Sequence, residues 1–223
     1  ILIKSKNKEK NITVTKTFLQ ANPFLYFHFK INDLDKIRKY IKSITEINDE
    51  DWSFFSSKLH KNSYPKKSII TEIGEVENHI SFIEKGIVRL LIPKKEEADE
   101  ITYGFSFENE FISAYSSFLT QAPSLYKLET LVETSLLSIT YSDLQKVYKH
   151  TKIGNLIGRL VAERLFIIKS NRALSLLNDS AEKRYFNLFT ERPNLIKEIP
   201  LKYIASYIGV TPQSLSRIRK KIT

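Results

Sequence analysis

The strongest chemical signal in the sequence lies in its last residues, 212–222. Gln213 and Arg217 are four residues apart, so on a helix they lie on one face. A glutamine amide pairs with adenine, and an arginine guanidinium pairs with guanine, in the major groove of DNA. We therefore predict that Gln213 and Arg217 contact DNA bases.

Further polar side chains around the same helix suit contacts with the DNA backbone, because hydroxyl and ammonium groups bind phosphate oxygens without reading the base sequence. The alternative interpretation is a solvated basic helix in an ordinary helical hairpin. The predicted backbone contacts are Lys202, Thr211, Ser214, Ser216, Lys220 and Lys221.

Two short helices are predicted to position these side chains. The first ends at Gly209, because glycine readily adopts the left-handed conformation found at helix ends. The second begins with Thr211 as its N-cap and Pro212 at its first position, and it buries Leu215 and Ile218. This pattern predicts a helix-turn-helix.

A long apolar helix is predicted upstream, over residues 153–177. Its apolar positions are numerous enough to cover a core on one side and a second copy of the chain on the other, which favours a homodimer. A buried helix of a monomer is the alternative. Asp179 and Glu182, just beyond the helix, have the spacing of a capping box. The predicted dimer residues are Ile153, Leu156, Ile157, Leu160, Val161, Leu165 and Ile168.

Between residues 64 and 143, short β-rich runs alternate with turn residues, which predicts a small antiparallel barrel or sandwich. Two helices are predicted before it, and the second starts near Asn48, whose side chain is predicted to cap it. The predicted fold class is α+β, with an antiparallel jelly-roll-like β-roll, a long dimerisation helix and a C-terminal helix-turn-helix. The predicted divisions are an N-terminal extension of unknown role (1–33), a β-roll sensor domain with flanking helices (34–150), the dimerisation helix (151–178) and a DNA-binding domain (179–223).

Composition excludes several classes of protein. There is no cysteine, which removes disulfides, thiolate metal sites and thiol chemistry. No apolar run reaches the roughly 18 residues of a membrane span, so we expect a cytoplasmic protein without a membrane partner. The net charge is +10, divided as +7 over residues 1–44, −6 over 45–150 and +9 over 151–223, which suits an anionic partner at the C-terminal end.

Catalytic motifs are missing from the sequence. It has no glycine-rich phosphate loop, no nucleophile elbow and no His-Glu metal pattern, so we expect neither an enzyme nor a bound metal or cofactor.

The order of these elements resembles the Crp/Fnr family of bacterial transcription regulators over residues 45–223. Residues 204–218 match the recognition unit of that family position for position, and residues 83–90 and 105–112 are similar to its cyclic-nucleotide-binding-type β-roll. The resemblance implies a homodimer that binds an inverted repeat in double-stranded DNA and regulates transcription, with RNA polymerase as a further candidate partner.

The resemblance also implies an effector pocket, but not one for cyclic AMP. Ala114 stands where relatives that bind cyclic AMP carry a glutamate, and no arginine occurs between Arg89 and Arg159. Lys127 is a cation in the second half of that segment, and a lysine lacks the fork with which arginine clamps a phosphate. The effector is therefore unknown, and a dimer that is active without any effector is the alternative. The predicted pocket residues are Phe105, Phe107, Ala114, Tyr115, Phe118 and Lys127.

On the long helix, the Thr-Ser pair with which the family contacts adenine would fall near Ile168 and Lys169. This departure leaves a second hypothesis open beside the DNA-binding regulator. In that alternative, the chain is a ligand-binding or partner-binding module whose helix-turn-helix does not function.

Overall fold

The computed structural model describes residues 34–96, 100–191 and 193–222. The predicted N-terminal extension, residues 1–33, lies outside the described residues. Two helices come first, α1 (Asp35–Lys42) and α2 (Asp49–Ser56). Asn48 caps α2 as predicted, because its side chain accepts a hydrogen bond from the backbone N–H of Asp51 at 2.8 Å.

Two four-stranded antiparallel sheets follow and form the β-roll. The cluster that contains Ile83, Val88 and Leu136 draws on both sheets, so they share a core. A short helix, α3 (Tyr115–Thr120), lies between strands β6 (Phe111–Ile112) and β7 (Lys127–Thr130). The first sheet has the order β1 (His60–Tyr64), β8 (Thr134–Thr140), β3 (His79–Lys85), β6 (Phe111–Ile112), and the second has the order β2 (Ile69–Thr71), β7 (Lys127–Thr130), β4 (Ile87–Ile92), β5 (Ile101–Phe107).

Helices make up the rest of the described chain, which confirms the predicted α+β architecture. They are α4 (Tyr141–His150), the long α5 (Gly154–Asn178), α6 (Ala181–Glu191), α7 (Pro193–Glu198), α8 (Leu201–Ile208) and α9 (Pro212–Ile222). We call α8 and α9 the C-terminal helix pair. Among the described residues, no helix is both long and apolar enough to cross a membrane.

The predicted capping box before α6 is wrong. The backbone N–H of Lys183 donates to the hydroxyl of Ser180 at 3.2 Å, which makes Ser180 the cap. The carboxylate of Asp179 instead accepts a hydrogen bond from the hydroxyl of Ser175, 2.6 Å away at the end of α5.

Strand β4 is buried along almost its whole length because both faces of the second sheet are covered. Val88 and Leu90 belong to the core between the sheets. Ile87 and Arg89 lie on the other face, where Ile87 joins the cluster formed by the C-terminal helices and Arg89 meets Tyr203 of α8. The helix pair is therefore packed directly against the β-roll.

Arg89 is the charged centre of this contact, with a side chain that is only 1% exposed. Its Nη1 lies 2.8 Å from Oε2 of Glu100, and its Nε donates to the hydroxyl of Thr102 at 3.1 Å. A second carboxylate, that of Glu129, lies 3.7 Å from Nη1. The guanidinium also sits 3.8 Å from the centre of the Tyr203 ring. The buried cation is thus neutralised by the roll and covered by α8.

Ser206 of α8 completes the contact at the edge of the sheet. Its hydroxyl accepts a hydrogen bond from the N–H of Thr102 at 2.8 Å and donates one to the carbonyl of Glu100 at 2.7 Å. Because β5 is the last strand of its sheet, these backbone groups have no strand partner on that side. One side chain therefore satisfies the exposed edge of β5 and holds α8 there.

Replacing Arg89 by methionine tests how much this contact stabilises the fold. We expect Arg89→Met to lower the free energy of unfolding by about 3 kcal/mol, because it leaves the partly buried carboxylate of Glu100 without its cation. Urea denaturation measures the change. Lys146→Met is the matched control, since its ion pair with Asp143 is on the surface and contributes about 0–1 kcal/mol. Equal losses in the free energy of unfolding for both variants would contradict the conclusion that the Arg89 contact stabilises the fold.

Candidate nucleic-acid interface and cavity

The turn between α8 and α9 is closed by a Schellman motif. Gly209 adopts a left-handed conformation with φ of +77°, and its N–H donates to the carbonyl of Ser206 at 3.1 Å. The N–H of Val210 donates to the carbonyl of Ala205 at 3.0 Å. These two bonds satisfy the carbonyls of Ala205 and Ser206 and turn the chain sharply toward α9, as the glycine predicted.

Helix α9 begins as the sequence predicted. The hydroxyl of Thr211 accepts a hydrogen bond from the N–H of Ser214 at 3.2 Å, and Pro212 is the first helical residue. Leu215 and Ile218 are 1% and 5% exposed, and they pack on the fully buried Ala205 of α8 within one cluster. The inner face of α9 is therefore fixed, which fixes the direction of its outer face.

The outer face of α9 carries the polar side chains that the sequence singled out. Exposed side chains at positions i, i+3, i+4, i+7 and i+8 form one stripe, which we call the recognition face. Ser214 is half-buried beside it, while Thr211 and Lys202 are exposed at the turn and on α8. The recognition face consists of Gln213, Ser216, Arg217, Lys220 and Lys221.

Few contacts within the described chain engage this face. The hydroxyl of Ser216 donates to the carbonyl of Pro212 at 3.0 Å, and the ammonium of Lys221 lies 3.7 Å from a carboxylate oxygen of Glu182. Both sides of the latter pair are at least half exposed, so the pair is weak and readily exchanged. The face therefore presents a glutamine amide and several cations to solvent.

Two arginines hold the end of α8 against the preceding helices. Arg172 of α5 donates to the carbonyl of Tyr207 at 2.7 Å, and its guanidinium stacks 3.5 Å from the centre of the Tyr207 ring. Arg184 of α6 donates to the carbonyl of Ile208 at 2.8 Å and to that of Asp179 at 2.5 Å. Cations at a helix C-terminus also interact favourably with the negative end of the helix dipole. Because both arginines come from the preceding helices, their hydrogen bonds set the orientation of the helix pair relative to α5.

A cavity of about 340 Å³ lies between the β-roll and α5. Its walls are mainly aromatic and aliphatic, with a few hydroxyl groups, which is the usual make-up of a small-molecule site. Lys169 is the one cation among the described residues of its lining. The roll contributes Tyr103, Phe111, Tyr115, Tyr126 and the hydroxyls of Ser106 and Ser116, and α5 contributes Val161, Leu165 and Lys169.

The ammonium of Lys169 is placed against this apolar wall, 4.3 Å from the centre of the Tyr103 ring. Burial and, to a smaller extent, the neighbouring charge of Arg172 lower the pKa of Lys169 to about 8, against an opposing effect of Glu110. Within the described residues no carboxylate forms an ion pair with Lys169. Burial also raises the pKa of Tyr126 to about 12, so its hydroxyl stays protonated at neutral pH.

Tyr115 is the residue of the predicted effector pocket that the structure places in this cavity. Phe105 and Phe107 lie on the opposite side of β5, packed against the C-terminal helices, with the Phe105 ring 5.3 Å from that of Tyr207. A β-bulge explains the difference, because Leu90 pairs with Gly104 and Leu91 with Thr102, which leaves Tyr103 as the extra residue. The bulge changes the alternation of the strand and brings Tyr103 to the cavity side.

The remaining predicted pocket residues are engaged elsewhere. Ala114 is fully buried, and its N–H donates to the carboxylate of Glu77 at 3.3 Å. Phe118 is 1% exposed, with its ring 5.3 Å from that of Tyr141. Lys127 forms an ion pair with Glu72, 3.2 Å away. The sequence pattern alone missed Tyr103, Tyr126 and Lys169, although Lys169 lies where the family resemblance placed a ligand contact.

The predicted dimer residues of α5 do not share one face. Ile153 and Ile157 pack on the core beneath the first sheet, and Val161 and Leu165 line the cavity. The other three residues are directed less toward the roll. Leu160 is half-buried, and Leu156 and Ile168 are 36% and 45% exposed.

An exposed apolar seam runs along the other side of α5. Ile167, Leu174 and Leu177 are 57%, 60% and 87% exposed, and they recur with Leu156 and Leu160 at the three- and four-residue spacing of a coiled-coil seam. Glu163 and Ser170 fill the polar positions of the same repeat. We call this the α5 seam: Leu156, Leu160, Glu163, Ile167, Ser170, Leu174 and Leu177.

Comparison with protein families gives a match over the segment that contains the β-roll. Residues 61–151 match the family model described as a cyclic nucleotide-binding domain. No curated protein sequence matches the chain.

Solved structures with the same overall fold include bacterial regulators of low sequence identity. The c-di-GMP responsive global regulator CLP of Xanthomonas campestris is 15% identical, with a TM-score of 0.60 over 78% of this chain and 91% of that one. A CooA mutant from Carboxydothermus hydrogenoformans is 15% identical, with a TM-score of 0.59 over 74% and 76% of the two chains. A crp/fnr-family transcriptional regulator, described as putative, from Eubacterium rectale is 19% identical, with a TM-score of 0.59 over 78% and 83%. At such identities the similarity establishes the fold.

Replacing Lys169, the half-buried cation of the cavity, by an apolar residue should stabilise the isolated protein. Because the pKa of Lys169 is lower folded than unfolded, folding is penalised below pH 8 and the penalty disappears as pH rises toward 10.5. We expect Lys169→Met to raise the melting temperature at pH 7 by about 2–4 °C for a gain of about 1 kcal/mol. The gain should shrink between pH 8 and 10.5, as calorimetry would measure. A loss of stability at pH 7 would contradict this account of Lys169.

Proposed function

We propose that the chain is a dimeric, sequence-specific DNA-binding transcription regulator of Crp/Fnr type. The observation that carries this proposal is the recognition face, an exposed stripe of amide and cationic groups on the second helix of a helix pair with a tight glycine turn. In a helix-turn-helix, that position enters the major groove. The fold shared with regulators supports the same conclusion.

The chemistry of the recognition face suits both parts of DNA binding. Gln213 and Arg217 stand nearer the start of α9, where helix-turn-helix proteins contact base edges. Lys220 and Lys221 follow in its last turn, where they reach phosphates. Thr211, Ser214, Ser216 and Lys202 add hydroxyl and ammonium groups for the backbone.

Dimerisation would give the protein two recognition helices for the two halves of an inverted repeat. The α5 seam supports a parallel helix pair, because its apolar side chains repeat over the whole length of α5 and all but the half-buried Leu160 are exposed in the single chain. Leu156 and Leu160 belong both to the sequence prediction and to the α5 seam, and Ile167, Leu174 and Leu177 are further members that we propose from their exposure.

The cavity between the roll and α5 is the proposed sensory site, and its chemistry argues against cyclic AMP. A cyclic phosphate calls for a forked arginine partner, and Arg89 is instead enclosed beneath α8, on the other side of the sheet. Lys127 is paired with Glu72. The alternative function is a ligand-binding or partner-binding module without DNA affinity, which the same cavity would also serve.

Selection of randomised DNA duplexes by the purified protein tests the proposed function. We expect an enriched inverted repeat, bound by two chains per site in anisotropy titrations, with affinity that falls as salt rises. Binding without sequence preference, or no binding at all in the presence and absence of cell extract metabolites, would favour the alternative module.

Two variants of α9 then separate base contacts from backbone contacts on the selected duplex. Arg217→Ala should weaken specific binding by about 1–3 kcal/mol and relax the preference at one base pair in each half-site. Lys221→Ala should weaken specific and random duplexes alike and flatten the dependence on salt. Identical behaviour of the two variants on both kinds of duplex would refute the assignment of Arg217.

Substitution within the α5 seam tests the dimer. Ile167→Glu should weaken dimerisation by about 100-fold or more, because it buries a carboxylate in an apolar contact. Sedimentation velocity would then report the 26.0 kDa chain rather than twice that mass. Gln145→Glu adds the same charge on an exposed position of α4 and should leave the mass unchanged. An unchanged mass for Ile167→Glu would place the dimer contact elsewhere.

A further inference from the structure

The proposed function does not specify the ligand of the cavity. The surroundings of Lys169 narrow the range of candidate ligands. The lysine reaches from α5 to the bulged residue Tyr103, and its ammonium comes so close to β5 that a side-chain carbon at Gly104 would lie 3.6 Å from it. Among the described residues, its ammonium meets the face of the Tyr103 ring, and Glu110 acts on it only from beyond ion-pair distance. A cation in an apolar wall without a carboxylate lacks the partner that normally compensates its burial.

The other walls of the cavity suit a flat apolar body. The rings of Tyr103 and Tyr126 lie 5.0 Å apart, and Phe111, Leu119 and Leu165 add further apolar surface. Desolvation raises the pKa values of Tyr115 and Tyr126, so both hydroxyls are neutral at physiological pH. They add no negative charge that would compete with a ligand for Lys169.

The volume of the cavity sets the size of what it can hold. At about 340 Å³ it lies at the lower end of small-molecule sites, which span roughly 300–1,000 Å³. A compact ring system with one acidic substituent fits the volume, the aromatic walls and the single cation together. A cyclic nucleotide adds a sugar with hydroxyl groups, and no carboxylate of the described residues lines the cavity to receive them.

We infer that the cavity binds a compact aromatic acid, with its anionic group on Lys169 and its ring between Tyr103, Tyr126 and the apolar side chains of α5. This inference rests on the proposed function, since it names the effector class of that regulator. The ligand anion would supply the missing partner of the lysine, and binding would convert a destabilising cation into a buried ion pair.

Calorimetric titration of the full chain with matched probes tests the inference. The probes are 1-naphthoate, its neutral isostere 1-naphthamide, and cyclic AMP. We expect the acid to bind wild-type protein at least about tenfold more tightly than the amide. Lys169→Met should abolish this preference while the amide binds as before. Lys127→Met is the matched control, because its ammonium is paired with Glu72 outside the cavity lining, and it should keep the preference.

Several outcomes would overturn the inference. They are equal affinities of acid and amide, an acid preference that survives Lys169→Met, cyclic AMP binding as tight as that of naphthoate, or no binding of either aromatic probe. The DNA selection is a separate measurement, so the two proposals fail separately. An enriched inverted repeat without binding of the acid leaves the regulator and removes this ligand class. Binding of the acid through Lys169 without any DNA affinity keeps the ligand class and removes the regulator.

Discussion

The position of the C-terminal helix pair depends on the buried charge of Arg89. A guanidinium in the middle of β4 is stable there only because Glu100 and Thr102 bind it from the sheet and Tyr203 covers it from α8. Without α8, the outer face of the second sheet would expose Ile87 beside this cation. The β-roll and the helix pair therefore share a core, and the outer face of the roll is built to receive the helices.

The bulge at Tyr103 allows β5 to contact the C-terminal helix pair on one side and the cavity on the other. Thr102 bonds Arg89 and Ser206 on the side of the helix pair, and the next residue, Tyr103, faces Lys169 on the side of the cavity. In a regular strand, residues two apart lie on the same face, so Phe105 would share a face with Tyr103. In the bulged strand β5, Phe105 shares a face with Thr102 instead. The extra residue therefore places Tyr103 on the cavity side of β5 and Phe105 on the side of α8.

Local signals in the sequence predicted local structure well. The caps at Asn48 and Thr211 and the turn at Gly209 are formed as predicted, because each depends on side chains within a few residues. The cap of α6 shows the limit of such signals. Both Ser180 and Asp179 suit a cap, and the choice is made by Ser175, which bonds the carboxylate of Asp179.

Contacts between distant segments decided the features that the sequence did not reveal. Helix α5 is apolar on nearly every side, so its pattern could not tell the face toward the roll from the α5 seam. A tight contact with α4 sets its rotation, because a side-chain carbon at Gly158 would lie 2.6 Å from the hydroxyl of Tyr148. The register of β5 and the membership of the cavity are likewise set by the packing of whole elements. This is why Tyr115 is the one predicted pocket residue that lines the cavity, and why Lys169 was not among the predicted pocket residues.

The cavity and the helix pair are joined by two short covalent paths. Along α5, Lys169 at the cavity is three residues from Arg172, which holds the end of α8. Along β5, Tyr103 at the cavity is adjacent to Thr102, which binds Ser206 of α8. A ligand shifts the helix pair only if it binds one arrangement of these contacts more tightly than another. In the proposed regulator, an anion at Lys169 would meet that requirement if it drew the ammonium to a different position relative to β5, because such a displacement of α5 would also move Arg172 relative to Tyr207.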